Sequence, residues 1–448
     1  MAYLYRTGSA TANGGYSNLW TWSGWIKRSK LGNQGIFNNR KNGSNTASRF
    51  KLFFNSDDKI QWECKDSGGN DDSSFQTNRR FRDTNGYYHI VFIYNSDNGT
   101  AGDRLRLYVN GVRETSFASE DQAGSGFGTL WSSSMWHYIG VANDNSGLWS
   151  ASAFEGYMSH VHFAYGTAYE PSVFGETDST TGEWKIKADP TVTYGSQGYF
   201  MLKNDGSVSD DSGEGNNFQA SGTITNAQDN PSNIFATLNP LVNNAGQMMA
   251  LTQGNLTCES TTSSPAWKTA VSTLGISSGK YYWEIKCNNV HNAHSNGVMG
   301  SNVLVANTTN PMNQTGWTGF YNESSDGGEM RKDNAITSNN YGTFSNGDIM
   351  GVACDMDNHT ISIYKNGSAL VSNYALSTTG RDVVFPASCY YQTNGGVQSS
   401  YNFGNGYFGT TAVSSNSGNG YSATGSLGIF QYQPPTGYTA LCTKGLNL

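Results

Sequence analysis

The sequence predicts an all-β protein made of two antiparallel β-sandwich (jelly-roll) domains in tandem, with little helix. Three observations predict this class. Charged residues make up only 14% of the chain and glycine supplies 54 of its 448 residues; a chain whose polarity comes from Gly, Asn, Ser and Thr favours turns over helices. Short apolar runs recur between turn-rich spacers. Aromatic residues reach 13%, which is unlike a disordered segment.

Strand patterns run through the first third of the chain. The segment LWTWSGWIK (19–27) alternates, which places Trp20, Trp22 and Ile26 on one face. The runs FKLFF and KIQWEC flank the turn NSDD and predict a hairpin. The segment YYHIVFIY (87–94) is nearly all apolar, as a strand covered on both faces would be. No long helical period separates these runs, so a sandwich is favoured over an alternating α/β fold.

One small pattern occurs twice, as RLRLYVNGVRETSF from residue 104 and as HTISIYKNGSALVSNY from residue 359. In each, an alternating apolar run is followed by Tyr-x-Asn-Gly and a second extended run. The pairs Asn110-Gly111 and Asn366-Gly367 suit a type I′ turn, which needs positive φ at both central residues. We therefore expect two β-hairpins of one design, in two sandwiches of related architecture.

Composition suggests four segments. Residues 1–175 are expected to form the first jelly roll, and 246–408 the second sandwich. Between them, 176–245 is an acidic connector rich in Gly, Asn and Ser, with room for short strands of its own. Residues 409–448 are predicted to be a low-complexity C-terminal tail.

Charge, cysteine spacing and hydropathy indicate which partners and which compartment the chain is expected to have. The net charge is −7 and no block of Lys or Arg is present, so nucleic acid is not an expected partner. None of the six cysteines forms a C-x-x-C pair, and Cys64, Cys287 and Cys354 lie in apolar runs typical of buried thiols. No apolar signal region and no run of 18 apolar residues occurs, so we expect synthesis in a cytoplasm, without membrane insertion.

Two sets of segments resemble known families. WSGWIKRS, KLFFNSDDKIQWE, YYHIVFIYNS and FEGYMSHVHFAYGTAYEPSVFGE, in this order, resemble the laminin-G/pentraxin-like group of concanavalin A-type lectin domains. SGKYYWEIKC (278–287), GDIMGVACDMDNHTISIYKNG (347–367) and VVFPASCYYQTNGGVQSSYNFG (383–404) resemble a SPRY domain. The second resemblance implies an inward face formed by Tyr281, Trp283, Ile285 and Cys287.

The two domains, the step TLNPL (237–241) and the ending P-x-G-Y-x-A-L-C-T are together similar to structural proteins of tailed, especially marine, phages. This resemblance implies a virion protein, a tail fibre or head decoration, made in the host cytoplasm. Its partners would be other virion proteins and a host-surface glycan or receptor. A homo-oligomer is expected, and a trimer would suit a fibre. A purely architectural virion protein is the first alternative.

The carboxylate motif of laminarinase-type relatives is absent from the sequence. These relatives carry E-x-D-x-E on one strand, because alternation then places the carboxylates on one face. This chain contains no E-x-D-x-E, and GISSGK (275–280) lacks the phosphate-loop spacing and is interpreted as the turn before a strand. We predict no catalytic residue and no enzyme activity. A polysaccharide-degrading, glucanase-like enzyme is the second alternative.

Loop-borne aromatic residues are the candidates for ligand binding. An aromatic face packs against a pyranose, and amide or carboxylate groups bind its hydroxyls. Burial in a core is the competing interpretation of each aromatic, Trp317 above all. The candidates fall in the segments 142–153 and 315–328 and are Asp144, Asn145, Trp149, Trp317, Tyr321 and Asn322.

Metal ligation has weaker support. His160 and His162 are two apart in a predicted strand, which places both rings on one face, but no third ligand follows. His291 and His294 lie in an expected loop. The acidic loops 143–147 and 209–217 lack the full D-x-[DN]-x-[DN]-G pattern of a calcium site. We predict no metal and no cofactor, with Ca²⁺ as the alternative.

Overall fold

The computed structural model describes residues 2–8, 16–41, 49–66, 68–131, 135–143, 147–187, 189–203, 208–242, 248–260, 266–290, 293–305, 310–322, 327–392, 396–414, 421–422 and 427–447. The chain divides into two compact units. The first unit is Met1–Asn226 with Asn230–Ser232, and the second is Ala227–Asp229 with Asn233–Leu448. Strands dominate both, which confirms the predicted fold class.

In its described residues, the first unit contains single-turn 3-10 helices at Ala101–Asp103, Ser150–Ser152 and Pro171–Val173. Its strands are β1 (Tyr3–Thr7), β2 (Tyr16–Ser17), β3 (Leu19–Arg28), β4 (Gln34–Lys41), β5 (Arg49–Phe54), β6 (Lys59–Lys65), β7 (Asp71–Arg80), β8 (Tyr88–Asn95), β9 (Leu105–Val109), β10 (Val112–Arg113), β11 (Phe117–Asp121), β12 (Thr129–Leu130), β13 (Met135–Ile139), β14 (Gly156–Tyr165), β15 (Gly175–Thr177), β16 (Trp184–Ile186), β17 (Tyr199–Met201) and β18 (Gln219–Ser221).

Two antiparallel sheets form the sandwich of the first unit. Sheet A has eight strands in the order β11-β7-β6-β5-β4-β13-β1-β18, and sheet B has six in the order β10-β9-β8-β3-β14-β17. Their facing sides enclose an aromatic core centred on Trp20, whose ring stacks on Tyr94 at 5.3 Å. Trp62 and Trp131 are fully buried beside it. Burying each such ring stabilises the fold by roughly 2–3 kcal/mol.

The predicted connector is part of the first unit, so the boundary expected at residue 175 is corrected. Strand β17 pairs with β14, and β18 pairs with β1. The guanidinium of Arg6 on β1 donates to Gln197 Oε1 at 2.7 Å and to Asn216 Oδ1. Tyr199 is buried in the core. Three-residue strands in a Gly- and Asn-rich context leave too short an apolar pattern to recognise in the sequence.

The second unit contains the helix α1 (Ser301–Val305) and 3-10 turns at Pro311–Asn313 and Gly445–Asn447. Its strands are β19 (Ala250–Thr252), β20 (Thr257–Glu259), β21 (Ala266–Val271), β22 (Lys280–Asn289), β23 (His294–Gly300), β24 (Trp317–Asn322), β25 (Glu329–Lys332), β26 (Ala335–Asn339), β27 (Ile349–Asp355), β28 (Thr360–Lys365), β29 (Ser368–Ala375), β30 (Val384–Gln392), β31 (Gln398–Asn402), β32 (Tyr407–Phe408), β33 (Thr411–Ala412), β34 (Tyr421–Ser422), β35 (Ile429–Phe430) and β36 (Thr439–Ala440).

Two sheets again face each other. Sheet C runs β19-β20-β31-β22-β27-β28-β29, with β36 beside β22, and sheet D runs β21-β30-β23-β24-β25-β26. The predicted inward face of β22 is confirmed. The side chains that lie in the core between the sheets are Tyr281, Trp283, Ile285 and Cys287.

The predicted C-terminal tail is also integrated, which corrects the expected domain of 246–408. Strand β36 pairs in parallel with β22, and Phe235 bridges to Cys442. The carboxylate of Glu284 on β22 accepts hydrogen bonds from the backbone N–H groups of Gln431 and Tyr432, both at 2.8 Å. A small apolar cluster, which includes Phe235 and Cys442, closes this face. We call 427–442 the C-terminal clasp.

Both predicted hairpins are present. Asn110 and Gly111 have φ of 49° and 78°, and Asn366 and Gly367 have 49° and 80°. These angles fit type I′ turns joining β9 to β10 and β28 to β29.

All six cysteines are buried and free of disulfides. Burial raises the pKa of the Cys354 thiol to about 12, so this group behaves as an apolar side chain. No helix in the described ranges is both long and apolar enough to span a membrane.

Candidate ligand-binding face

The first predicted site lies at sheet A. Asp144 and Asn145 lie outside the described residues. Trp149 is half-buried, and its ring meets Phe53 of β5 edge-on at 6.5 Å. Its backbone N–H donates to Ala142 O at 3.0 Å. Phe53 alternates with the core residues of β5, so Trp149 is held against the outer face of sheet A.

The second predicted site is corrected by its burial. Trp317, Tyr321 and Asn322 belong to strand β24 rather than to a loop. Trp317 is fully buried in an apolar cluster with Val303 and Met312, and Asn322 bonds the backbone of Phe344 at 2.7 and 3.1 Å.

Tyr321 is 6% exposed and lies beneath the Arg331 guanidinium at 4.0 Å. The segment around α1 covers this face of sheet D, so these side chains build the sandwich instead of meeting a ligand.

Four aromatic side chains form a strip on the outer face of sheet A. We call Tyr3, Tyr5, Trp136 and Tyr138 the aromatic strip. Ring centroids are 5.9 Å apart between Tyr3 and Tyr5, 5.7 Å between Tyr5 and Trp136, and 6.3 Å between Trp136 and Tyr138. The planes of Trp136 and Tyr138 differ by 17°. The arrangement follows from alternation in two paired strands, since Tyr5 lies opposite Tyr138.

The strip is partly open to solvent. Tyr3, Tyr5 and Trp136 are half-buried, and Tyr138 is 8% exposed. Burial raises the pKa of the Tyr138 phenol to about 12, against the opposing charge of Arg40. The hydroxyl therefore stays protonated at neutral pH and can both donate and accept a hydrogen bond.

Polar side chains continue the same face across the sheet. A row defined by register runs through the outward side chains of Gln219, Tyr5, Tyr138, Asn38, Lys51 and Glu63. Lys51 Nζ lies 2.9 Å from Glu63 Oε2 and 4.6 Å from the centre of the Phe53 ring. A row of aromatic rings beside polar and charged groups has the chemistry to bind a sugar chain, since ring faces pack on CH groups and polar groups meet hydroxyls.

The sequence analysis missed this strip. The signal was present as YLY at 3–5 and WHY at 136–138, where aromatic residues alternate with buried ones. What the sequence does not show is that β1 pairs with β13 across more than a hundred intervening residues. Without that pairing, each tripeptide is an ordinary piece of strand.

The predicted metal candidates do not assemble. A β-bulge separates Ser159 from His162, and His160 adopts φ of 48°. His162 stacks on Phe200 at 3.9 Å and His160 lies 5.8 Å from the same ring. Ser159 Oγ lies 2.7 Å from His160 Nδ1, and Tyr194 Oη lies 2.8 Å from His162 Nδ1, so one nitrogen of each ring is engaged. His294 is buried in the second unit, and His291 lies outside the described residues. Among the described residues, no group of three or more His, Cys, Asp or Glu is placed to hold a metal ion.

In the described parts of the two predicted calcium loops, the Asp210 carboxylate is already engaged in hydrogen bonds within the protein. Residues 144–146 of the loop 143–147 lie outside the described ranges. In 209–217, both carboxylate oxygens of Asp210 already accept hydrogen bonds, from Phe200 N, Ser212 N and Asn216 N at 2.8–2.9 Å. Asp210 therefore fixes its own loop to β17.

Both units are β-sandwich modules of classes that bind other molecules. Residues 6–173 match the family model described as the concanavalin A-like lectin/glucanases superfamily, and 280–406 match the SPRY domain. The predicted concanavalin A-type and SPRY domains are thereby confirmed.

Three solved structures illustrate the likeness. The SPRY domain of human HERC1 is 18% identical, covering 37% of this chain and 96% of that chain, with a TM-score of 0.26. Native heptameric SAP-like pentraxin from Limulus polyphemus is 14% identical, covering 37% and 77%, with a TM-score of 0.26. The TRIM65 PSpry domain is 13% identical, covering 37% and 91%, with a TM-score of 0.29. No curated protein matches the chain.

Proposed function

We propose that this chain is a non-enzymatic virion protein of a tailed phage, which binds a host-surface glycan through the aromatic strip. The strip is the observation that carries the binding role. Three half-buried rings lie on the outer face of sheet A, with centroids 5.9 Å apart between Tyr3 and Tyr5 and 5.7 Å apart between Tyr5 and Trp136. That separation is close to the repeat of pyranose units, and stacking on each ring adds to affinity.

Binding is favoured over glycan cleavage by the polar groups of the face and by the sequence. The row beside the strip offers the exposed amide of Gln219 and a Lys51–Glu63 ion pair. Retaining or inverting hydrolysis needs two carboxyl groups across the scissile bond. The chain also contains no E-x-D-x-E segment.

The virion assignment is supported by the order of the two domains and their connecting and closing motifs. Such a protein is made in the host cytoplasm and reaches the outside by assembly and lysis. Its partners are other virion proteins and the host glycan, and many copies on one particle give avidity to a weak single site. Mass spectrometry of purified particles tests this part, and the absence of the chain from them contradicts it.

The glycan role is tested by substitution within the strip. Trp136→Ala and Tyr5→Ala should each weaken binding to envelope polysaccharide about tenfold, because each loses one stacking surface worth ~1.4 kcal/mol. Tyr157→Ala, which removes a half-buried ring from sheet B, is the matched control and should change nothing.

Isothermal titration of the intact chain provides the measurement. Equal affinity for the strip variants and the control would exclude the strip as the site. If particles contain the chain and no envelope glycan binds it, the architectural alternative takes the place of the glycan role.

A further inference from the structure

From the charges beside the aromatic strip we infer that the ligand is an acidic polysaccharide, with carboxylates spaced among neutral sugar rings. The inference rests on the proposed glycan-binding function and names the class of glycan. It comes from the register of strands β13, β4, β5 and β6.

Arg40 adjoins the strip directly. It is the register partner of Trp136 on the neighbouring strand β4. Its charge acts on the Tyr138 phenol, and its Nη1 reaches within 3.3 Å of the position of a Cβ on Gly147. The guanidinium therefore lies between the strip and the loop that carries Trp149, where a substituent on a ring stacked over Trp136 would reach it.

Two more cations follow on the next strands. Arg49 on β5 is the register partner of Lys65 on β6. Their neighbours along the strands, Phe50 and Cys64, lie in the aromatic core. Because side chains alternate along a strand, those of Arg49 and Lys65 leave the sheet on its outer face. We call Arg40, Arg49 and Lys65 the basic row.

A cavity of about 80 Å³ lies at the end of the basic row. Arg49, Lys65 and Asp66 line it together with the apolar side chains of Phe50 and Phe127. The ring of Tyr16, which is 48% exposed, stands at its wall. Cations beside aromatic walls suit a group that is both ring-shaped and negatively charged, such as a uronic acid.

Carboxylates on this face are engaged with partners of their own. Asp66 accepts hydrogen bonds from Gly68 N and Asn70 N, both at 2.8 Å, within its turn. Asp71 pairs with Lys65 at 2.5 Å, and Glu63 pairs with Lys51 at 2.9 Å. The basic row therefore brings three cations onto this face, of which Lys65 is paired with Asp71, in a chain whose net charge is −7.

A polynucleotide is the competing polyanion. It carries a charge on every residue, so the negative net charge of the chain opposes its approach more strongly than that of a sparsely charged glycan. The acidic polysaccharide is therefore the favoured ligand, and single-stranded DNA is included in the test.

The test compares acidic polysaccharides with their carboxyl-reduced forms, which keep the same backbone and lose only the charge. A panel of polygalacturonate, polymannuronate and hyaluronan is titrated into the intact chain, together with neutral glucans and single-stranded DNA. We expect at least one acidic form to bind about tenfold or more tightly than its reduced form, and to weaken as NaCl rises.

Substitutions assign the effect to the basic row. Arg40→Ala should weaken binding of the acidic form about five- to tenfold and leave the reduced form unchanged, while Arg40→Lys keeps most of the affinity. Lys65→Ala is the second variant, since Arg49 is only 7% exposed and its removal risks the fold. Arg113→Ala on β10 removes one cation from sheet B and is the control.

The outcomes separate the two proposals. Equal binding of acidic and reduced forms, or of neutral glucans alone, overturns the acidic class and leaves glycan binding standing. Binding of no glycan at all overturns both. Tighter binding of single-stranded DNA than of any glycan also overturns the inference.

Discussion

His137 shows how a single side chain can work against stability. It is fully buried on β13 and packs edge-on against Trp131 at 4.9 Å. Neither ring nitrogen has a hydrogen-bond partner among the described residues, and Asn39 Oδ1 on the adjacent strand is also unsatisfied. Burial lowers the pKa of His137 well below its usual value. A neutral imidazole with an unpaired N–H costs free energy that an apolar side chain would not.

Replacing this histidine should therefore stabilise the first unit. His137→Leu removes both unsatisfied nitrogens at similar volume, and we expect the free energy of unfolding to rise by about 1 kcal/mol. Urea denaturation measures the change, with His160→Leu, at a half-buried position bonded to Ser159, as the control. A loss of stability in the His137 variant would show that its nitrogens are satisfied in solution.

At this scale the sequence predicted burial where alternation was clear and failed where a strand looked like a loop. Cys64, Cys287 and Cys354 were recognised because apolar residues flank them at a spacing of two. Trp317 was placed in a loop, within the glycine-containing segment 315–328. In the structure, Gly319 lies in β24, where an added Cβ would come within 2.8 Å of Asn296 O, so it serves close packing of strands.

Strand β22 and the C-terminal clasp show how one carboxylate joins two elements. Glu284 is fully buried, accepts from two backbone N–H groups of the clasp, and also receives Asn402 Nδ2 at 3.2 Å. Phe430 packs edge-on against Tyr282 at 5.0 Å beside it. The clasp is therefore fixed by hydrogen bonds as well as by apolar contact.

Glu284→Ala should detach the clasp. It removes the acceptor of two backbone N–H groups of the clasp, so we expect the second unit to lose about 2–4 kcal/mol and the clasp to become sensitive to protease. Glu284→Gln keeps one acceptor oxygen and should lose less. Limited proteolysis with chemical denaturation checks this, and an alanine variant as stable as the parent would contradict it.

Among the elements, the hairpins were predictable because Asn-Gly dipeptides act within four residues. The aromatic strip was not, because it depends on the pairing of β1 with β13, and no local pattern specifies a partner so distant in sequence. Strands β17 and β18 were missed because of their length. Each has three residues, too few for a period of two to appear.

The two units differ in their buried titratable groups, and this affects the whole molecule. In the first unit, burial lowers the pKa of His89 to about 3 and of His160 to about 4. Burial also lowers the pKa of His137 and of His162 well below the usual value. In the second unit, burial raises the pKa of Glu284 to about 7. In the first unit, burial also raises the pKa of Asp72 to about 6. Its effect on the pH dependence of stability is opposite to that of the four histidines, but it is a single half-buried carboxyl.

These shifts predict opposite pH dependence for the two units. Below about pH 6.5 the histidines are protonated in the unfolded state but stay neutral in the folded state. The first unit therefore gains stability as pH rises from about 4 to 6.5. Folded Glu284 keeps its proton up to about pH 7 while the unfolded residue loses it near 4.5, so the second unit loses up to about 3 kcal/mol over that window.

Calorimetric scans at pH 5 and pH 7.5 test this, and Glu284→Gln identifies the second unit because its transition should no longer shift between the two values. Transitions that move in the same direction, with the Gln variant unchanged from the parent, would contradict the assignment.

The domain plan was predictable in kind but not in extent. Two sandwiches of concanavalin A-type and SPRY class could be recognised from the order of their strands. The compact units extend beyond the predicted domains because the segments that complete each sandwich have short apolar patterns. Polar groups help to hold these segments, Arg6 in one unit and Glu284 in the other.

The most direct measurement is a crystal structure of the intact chain with a bound fragment of acidic envelope polysaccharide. We predict sugar rings within about 4 Å of Tyr5 and Trp136 and a carboxylate within hydrogen-bond distance of Arg40. A ligand bound on sheet B or in the second unit, with the strip empty, would contradict the account.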